Sequence, residues 1–155
     1  MRPKTFLICQ IATGLALAFE TASCQANPEI QSSHTQCSNE NMPHEICVTM
    51  AVSMPVNLDE PVTQTITVAT PSTSAKVLIY TESTGREAWV FDGPTEFHVT
   101  TVAGAPTTVT TTFRVLEEGY FTLNGSAAIE GVTEPVTTSL WLVASGDEVT
   151  VSRGK

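Results

Sequence analysis

From Ile46 onward, apolar positions recur at every second residue. Ile46, Val48, Met50, Val52 and Met54 fall on one side; Cys47, Thr49, Ala51 and Ser53 fall on the other. Strict alternation of this kind predicts a half-buried β-strand. Its methionines read as core filling, since Met adapts to irregular gaps. After the turn-rich PVNLDEP of 55–61, Val62, Gln64, Ile66, Val68 and Thr70 predict a second strand. Ala75–Glu82 predicts a third. Val77 and Ile79 share one face and Leu78 and Tyr80 the other, as in a central strand. Glu87–Asp92 is shorter, with Trp89 and Phe91 on one side, and Asp92-Gly93-Pro94 ends it. Thr95–Val102 sets Phe97 and Val99 against His98 and Thr100. Pro135–Ala144 sets Leu140 and Leu142 against Trp141 and Val143, and Val149 and Val151 mark the last strand.

The stretch Thr110–Ile129 is the clearest. Val109, Thr111, Phe113 and Val115 alternate up to Leu116-Glu117-Glu118-Gly119, and Phe121, Leu123, Gly125, Ala127 and Ile129 alternate after it. This predicts strand, acidic corner, strand: an edge pair of a β-sandwich. Asn124-Gly125 is a hairpin signal. The alternation runs through it, however, so one long strand is expected, with Gly125 at a bulge or close approach. Asn124-Gly125-Ser126 is also a glycosylation sequon, with meaning only in a eukaryotic secretory pathway.

Strands spaced in this way, with no helical stretch after the N-terminal region, predict an all-β antiparallel sandwich of about 7–9 strands over residues 46–155. Composition agrees: Thr and Val are abundant, and only 15% of residues are charged. The net charge is −9. Lys76, Arg86, Arg114, Arg153 and Lys155 are scattered and form no basic stripe. Nucleic acid and anionic membrane surfaces are therefore poor partners.

The chain opens with a different pattern. Met1–Lys4 is basic, residues 6–19 (FLICQIATGLALAF) are largely apolar, and small residues follow to Ala26. This order predicts a secretory signal peptide over 1–26. The apolar run is short of the roughly 20 residues that span a membrane. Two processing outcomes stay open. Thr21-Ala22-Ser23-Cys24 resembles a bacterial lipobox, with Thr21 where leucine is usual, which would make Cys24 a lipidated first residue. Ordinary cleavage after Ala26 would discard it. The protein is thus expected to be secreted or anchored on the outer side of the cytoplasmic membrane, touching membrane only through such an anchor.

Residues 27–45 (NPEIQSSHTQCSNENMPHE) are polar, with little apolar periodicity, and predict a flexible arm carrying Cys37. Once Cys9 and Cys24 are accounted for by the leader, Cys37 and Cys47 remain as a disulfide pair in an exported chain. A competing reading uses His34, Cys37, His44 and Cys47 as a metal site, with Met42 nearby. Their spacing matches no common zinc pattern, and no cofactor is expected.

Motifs for nucleophilic, phosphate-binding or metalloprotease chemistry are absent from the sequence. His98 is expected on a polar face. Glu117 and Glu118 are neighbours at a corner, so their side chains diverge and do not form a glycosidase pair. No catalytic residue is predicted, and the chain is read as a non-enzyme.

Phe113-Arg114-Val115, Glu118-Gly119-Tyr120-Phe121-Thr122-Leu123 and Ala127, together with Val62–Val68, resemble bacterial extracellular immunoglobulin-like domains of the cell-adhesion-related (CARDB) kind. The resemblance covers roughly residues 55–151. It implies an immunoglobulin-like sandwich used for adhesion, presentation or spacing, without catalysis. It also implies that Gly119 and Tyr120 form a structural corner, with the Tyr120 hydroxyl tied to nearby backbone. The expected partner is a protein or glycan at the cell surface. Trp89, Phe91 and Trp141 are binding candidates if they are exposed. The alternatives are an exported metal-binding protein using the His/Cys arm, and an enzyme inhibitor or accessory domain.

Overall fold

A computed structural model describes residues 29–38, 45–132 and 134–153. Among them the period-two pattern becomes eleven strands: β1 (Glu29–Cys37), β2 (Cys47–Met54), β3 (Val56–Asn57), β4 (Val62–Ala69), β5 (Lys76–Ser83), β6 (Trp89–Phe91), β7 (Glu96–Thr100), β8 (Thr107–Val115), β9 (Gly119–Ile129), β10 (Val136–Ser145) and β11 (Glu148–Arg153). A single 3-10 turn, Arg86–Ala88, precedes β6. The strands form two antiparallel sheets. The first has the order β1-β2-β4-β8-β6 and the second β3-β11-β10-β9-β5-β7. The expected all-β sandwich is therefore present. The predicted signal peptide, Cys24 and His44 lie outside the described residues.

The inward stripes of the two sheets meet in one core. Met50, Ile66 and Phe113 of the first sheet and Ile79, Leu123, Leu140 and Leu142 of the second are fully buried. Gly125 sits directly against the opposite sheet. A Cβ there would stand 3.1 Å from the Met50 sulfur and 3.3 Å from Ile66 Cδ1. β9 accordingly runs unbroken through Asn124-Gly125, as the alternation predicts.

Two expectations are corrected. Glu29–Cys37, read as a flexible arm, is an edge strand of the first sheet. It pairs with β2 from Glu29 opposite Met54 to Cys37 opposite Cys47. The register is held by hydrogen-bonded backbone, by Thr35 against Thr49 (2.8 Å), and by contact with the opposite sheet. Thr138 of β10 is buried; its hydroxyl lies 3.0 Å from His34 Nδ1 and 3.2 Å from the His34 carbonyl. A strand held in this way needs no apolar stripe of its own. The other correction concerns β8 and β9, which are not hydrogen-bonded to each other. β8 pairs with β4 and β6, and β9 with β5 and β10. Leu116–Glu118 carries the chain from one sheet to the other, so the two stripes face across the core.

Gln64 is a polar residue in that core, wholly buried. Its Nε2 donates to Met50 Sδ (2.9 Å), and its Oε1 accepts from Thr81 Oγ1 (2.9 Å). Thr81 lies on β5, so this amide links the two sheets through their interior. The same hydroxyl also has the Asn124 carbonyl within 2.9 Å.

Candidate functional site: the outer face of the second sheet

Cys37 and Cys47 form a disulfide at the directly opposed end of the β1–β2 pair. Their sulfurs are bonded to each other, which withdraws both as thiolate ligands. His34 is engaged by Thr138. Among the described residues no group of three or more His, Cys, Asp or Glu is arranged to hold a metal ion. The bridge closes a short loop, and in the chain-entropy view it is worth about 2–3 kcal/mol. Replacing both cysteines by serine is expected to lower unfolding free energy by about that amount and to raise amide hydrogen exchange selectively in β1. Urea denaturation and exchange mass spectrometry measure the two effects.

The acidic positions and His98 carry no paired chemistry. Glu117 and Glu118 are exposed, and Glu118 accepts from the Gly146 N–H (2.9 Å). His98 is exposed on β7. Arg114 donates to Asp92 through Nε (2.9 Å) and Nη2 (3.1 Å), and to Asp59 through Nη1 (3.1 Å). The hydrogen bonds from Arg114 hold the Asp92 carboxyl below its ordinary range. This cluster tethers the β3–β4 turn and the end of β6 to β8. It is solvent-exposed and adds little to stability.

The three aromatic binding candidates separate. Trp89 is buried. Its ring lies 5.0 Å from that of Phe113 and 5.6 Å edge-on to that of Phe121, so it belongs to the core. Phe91 is half-buried beside it. Trp141 alone stands out, 54% exposed.

Tyr120 does not hold the corner. It is 85% exposed, and its hydroxyl makes no hydrogen bond among the described residues. Strand parity explains this: in Gly119-Tyr120-Phe121, the Phe121 side chain points into the core and Tyr120 points away. Gly119 does occupy a corner position, with φ 152°, where an added Cβ would lie 3.0 Å from the Phe121 ring. The corner thus depends on Gly119 and Phe121.

Tyr120 and Trp141 meet on one surface. Tyr120 is opposite Val143, which is opposite Thr150. In the next row, Thr122 is opposite Trp141, which is opposite Ser152. Two exposed rings therefore sit on adjacent strands, with Val143 beside them and hydroxyls around them, and none of these six residues is charged. A shallow depression of about 160 Å³ lies among Tyr120, Trp141 and Val143. Such a flat, neutral aromatic surface offers apolar area together with hydroxyl donors and acceptors. Asn124 lies further along the face, in mid-strand, its Oδ1 accepting from Ser139 (2.7 Å). No protein-family model matches the chain, and no curated protein is significantly similar to it.

Proposed function

We propose that the chain is an exported immunoglobulin-like module that binds a protein or glycan at the cell surface through the outer face of its second sheet. The observation that carries this reading is the joint exposure of Tyr120 and Trp141 on β9 and β10. Aromatic side chains are costly to leave in water and are enriched at recognition surfaces.

Strand order supports the immunoglobulin-like assignment. Neighbours β2-β4-β8-β6 follow the A-B-E-D order of that fold, and β5-β9-β10 follow C-F-G. β1, β3, β7 and β11 are additions at the sheet margins. The resemblance to cell-adhesion-related domains points the same way, toward adhesion or presentation without catalysis. The basic, apolar and small-residue order of residues 1–26 supports export. If Cys24 is lipidated, the five residues to Glu29 span at most about 17 Å, which would hold the sandwich close to the membrane.

The test compares residues 27–155 with a Tyr120→Ala/Trp141→Ala variant for retention on intact cells of the producing species and on a glycan array. Apparent affinity is expected to fall about tenfold or more, as for buried aromatic anchors. Urea unfolding should change by less than about 1 kcal/mol, because both side chains are exposed. Unchanged retention by the variant would overturn the proposal.

A further inference from the structure

The uncharged aromatic surface of β9 and β10 has an acidic border. On the outward face, the row beyond Tyr120, Val143 and Thr150 holds Ser145 opposite Glu148. Successive rows on one face of a sheet are about 7 Å apart. Glu118 immediately precedes Gly119, which is opposite Ala144, so it enters the same row beside Ser145. Its carboxylate accepts from the Gly146 N–H (2.9 Å), which fastens the β8–β9 corner to the β10–β11 turn. Glu118 and Glu148 are both exposed. On the other side of the rings, exposed Glu82 is opposite Asn124. Among the described residues the salt bridges are those of Arg114 of the first sheet, to Asp59 and Asp92, so none of these three glutamates is paired with a cation. Lys76, on the same face, is at the far end of β5, opposite Thr100.

We infer that the partner at this face is a protein presenting a basic segment. The inference rests on the binding role proposed for Tyr120 and Trp141 and adds the charge of what they bind. An arginine or lysine laid over either ring is attracted by the ring face, and its length brings it to a carboxylate of the neighbouring row. Rings and carboxylates then act on one cation, with Val143 offering apolar contact between them. Charge complementarity selects against other partners. An anionic glycan would be repelled by the border and by the net charge of −9, and a neutral glycan would draw no charge attraction from it.

The Trp141 indole N–H resonance, identified by its loss in Trp141→Phe, reports on this surface by heteronuclear NMR. At about 50 mM salt, hexa-arginine is expected to shift it saturably and hexa-glutamate to leave it in place. Glu118→Gln/Glu148→Gln keeps an acceptor for the Gly146 N–H and removes two charges. It should weaken hexa-arginine about fivefold, and the difference should vanish at about 0.5 M salt. Glu130→Gln/Glu134→Gln, an equal charge change on exposed residues beyond the other end of β9, should alter affinity by less than about twofold. On intact cells, residues 27–155 carrying Glu118→Gln/Glu148→Gln should be retained about fivefold less well. Full retention of that variant, where Tyr120→Ala/Trp141→Ala loses it, would mean that the face binds a neutral partner such as a glycan, and would overturn this inference alone. Retention that survives Tyr120→Ala/Trp141→Ala would overturn the reading beneath it as well. No shift with hexa-arginine, or equal weakening by the two charge pairs, would likewise overturn the inference.

Discussion

Replacing Gln64 with glutamate is expected to destabilise the fold by several kcal/mol at neutral pH, whereas Gln64→Leu should change stability by less than about 1 kcal/mol. The contrast follows from the buried link between the sheets. Gln64 has no exposed surface, and its neighbours in the link are the Met50 sulfur and the Thr81 hydroxyl. A carboxylate in that place would be charged, without a cation, and in contact with a thioether. Leucine has a comparable volume and no polar atom to leave unpaired. It leaves Thr81 free to donate wholly to the Asn124 carbonyl, already within 2.9 Å. The sign of the pH dependence can be stated. Burial raises the folded-state pKa of the introduced glutamate above its unfolded value of about 4.3. The deficit is therefore absent well below that pH and opens as pH rises through it. Urea unfolding of wild type and both variants, in acid and at neutral pH, measures this. A Gln64→Glu protein as stable as wild type at neutral pH would mean that the position is not buried between the sheets.

Gly125→Val is the other change with a large expected effect, a loss of about 3 kcal/mol in unfolding free energy. The strand conformation at Gly125 poses no difficulty for valine; the obstacle is the opposite sheet. Even one carbon would press on the Met50 sulfur and on Ile66, which are themselves fully buried and cannot swing into solvent. Met50 is further fixed by the hydrogen bond from Gln64. Gly125→Ala should cost less, about 1 kcal/mol, because it adds only the first of the three carbons. Differential scanning calorimetry of the two variants gives the graded response. Equal melting temperatures for all three proteins would show that the sheets do not approach at this point.

Much of this architecture was readable from alternation alone. The inward stripes of β2, β4, β8 and β9 are the ones that the period-two pattern picks out, whereas β5 and β10 carry apolar residues on both faces and the pattern does not choose between them. Gly125 was legible as a close approach because the stripe passes through it. What alternation cannot specify is which stripe faces which. Phe113 and Phe121 flank a short corner, and the same spacing serves a hairpin in one sheet or a crossing between two; the structure has the crossing. β1 was illegible for a different reason. Its sequence, EIQSSHTQC, has no apolar stripe, because its place comes from pairing with β2, from the disulfide, and from the contact of His34 with Thr138. Local pattern does not report such long-range partners.

The binding surface was half legible. Trp141 alternates with Leu140 and Leu142 and so lies on the face opposite them, but Val143 makes that face apolar too, and nothing in the sequence separated Trp141 from Trp89, whose short strand admits either face. Tyr120 was drawn toward a corner role by the Gly-Tyr pair. The parity of Phe121, two residues after Gly119, was the better guide. Gln64 sat in an inward stripe from the start, yet its partners Met50 and Thr81 come from two other strands and could be named only once the sheets were stacked.

Export underlies the functional proposal, and the intact mass of the protein recovered from medium and membranes of expressing cells tests it most directly. The expected mass is that of a chain beginning either at Asn27 or at a lipid-bearing Cys24, two hydrogens lighter than its reduced form because Cys37 and Cys47 are joined. A chain that retains residues 1–26, is found only inside the cell and carries free thiols at Cys37 and Cys47 would contradict it.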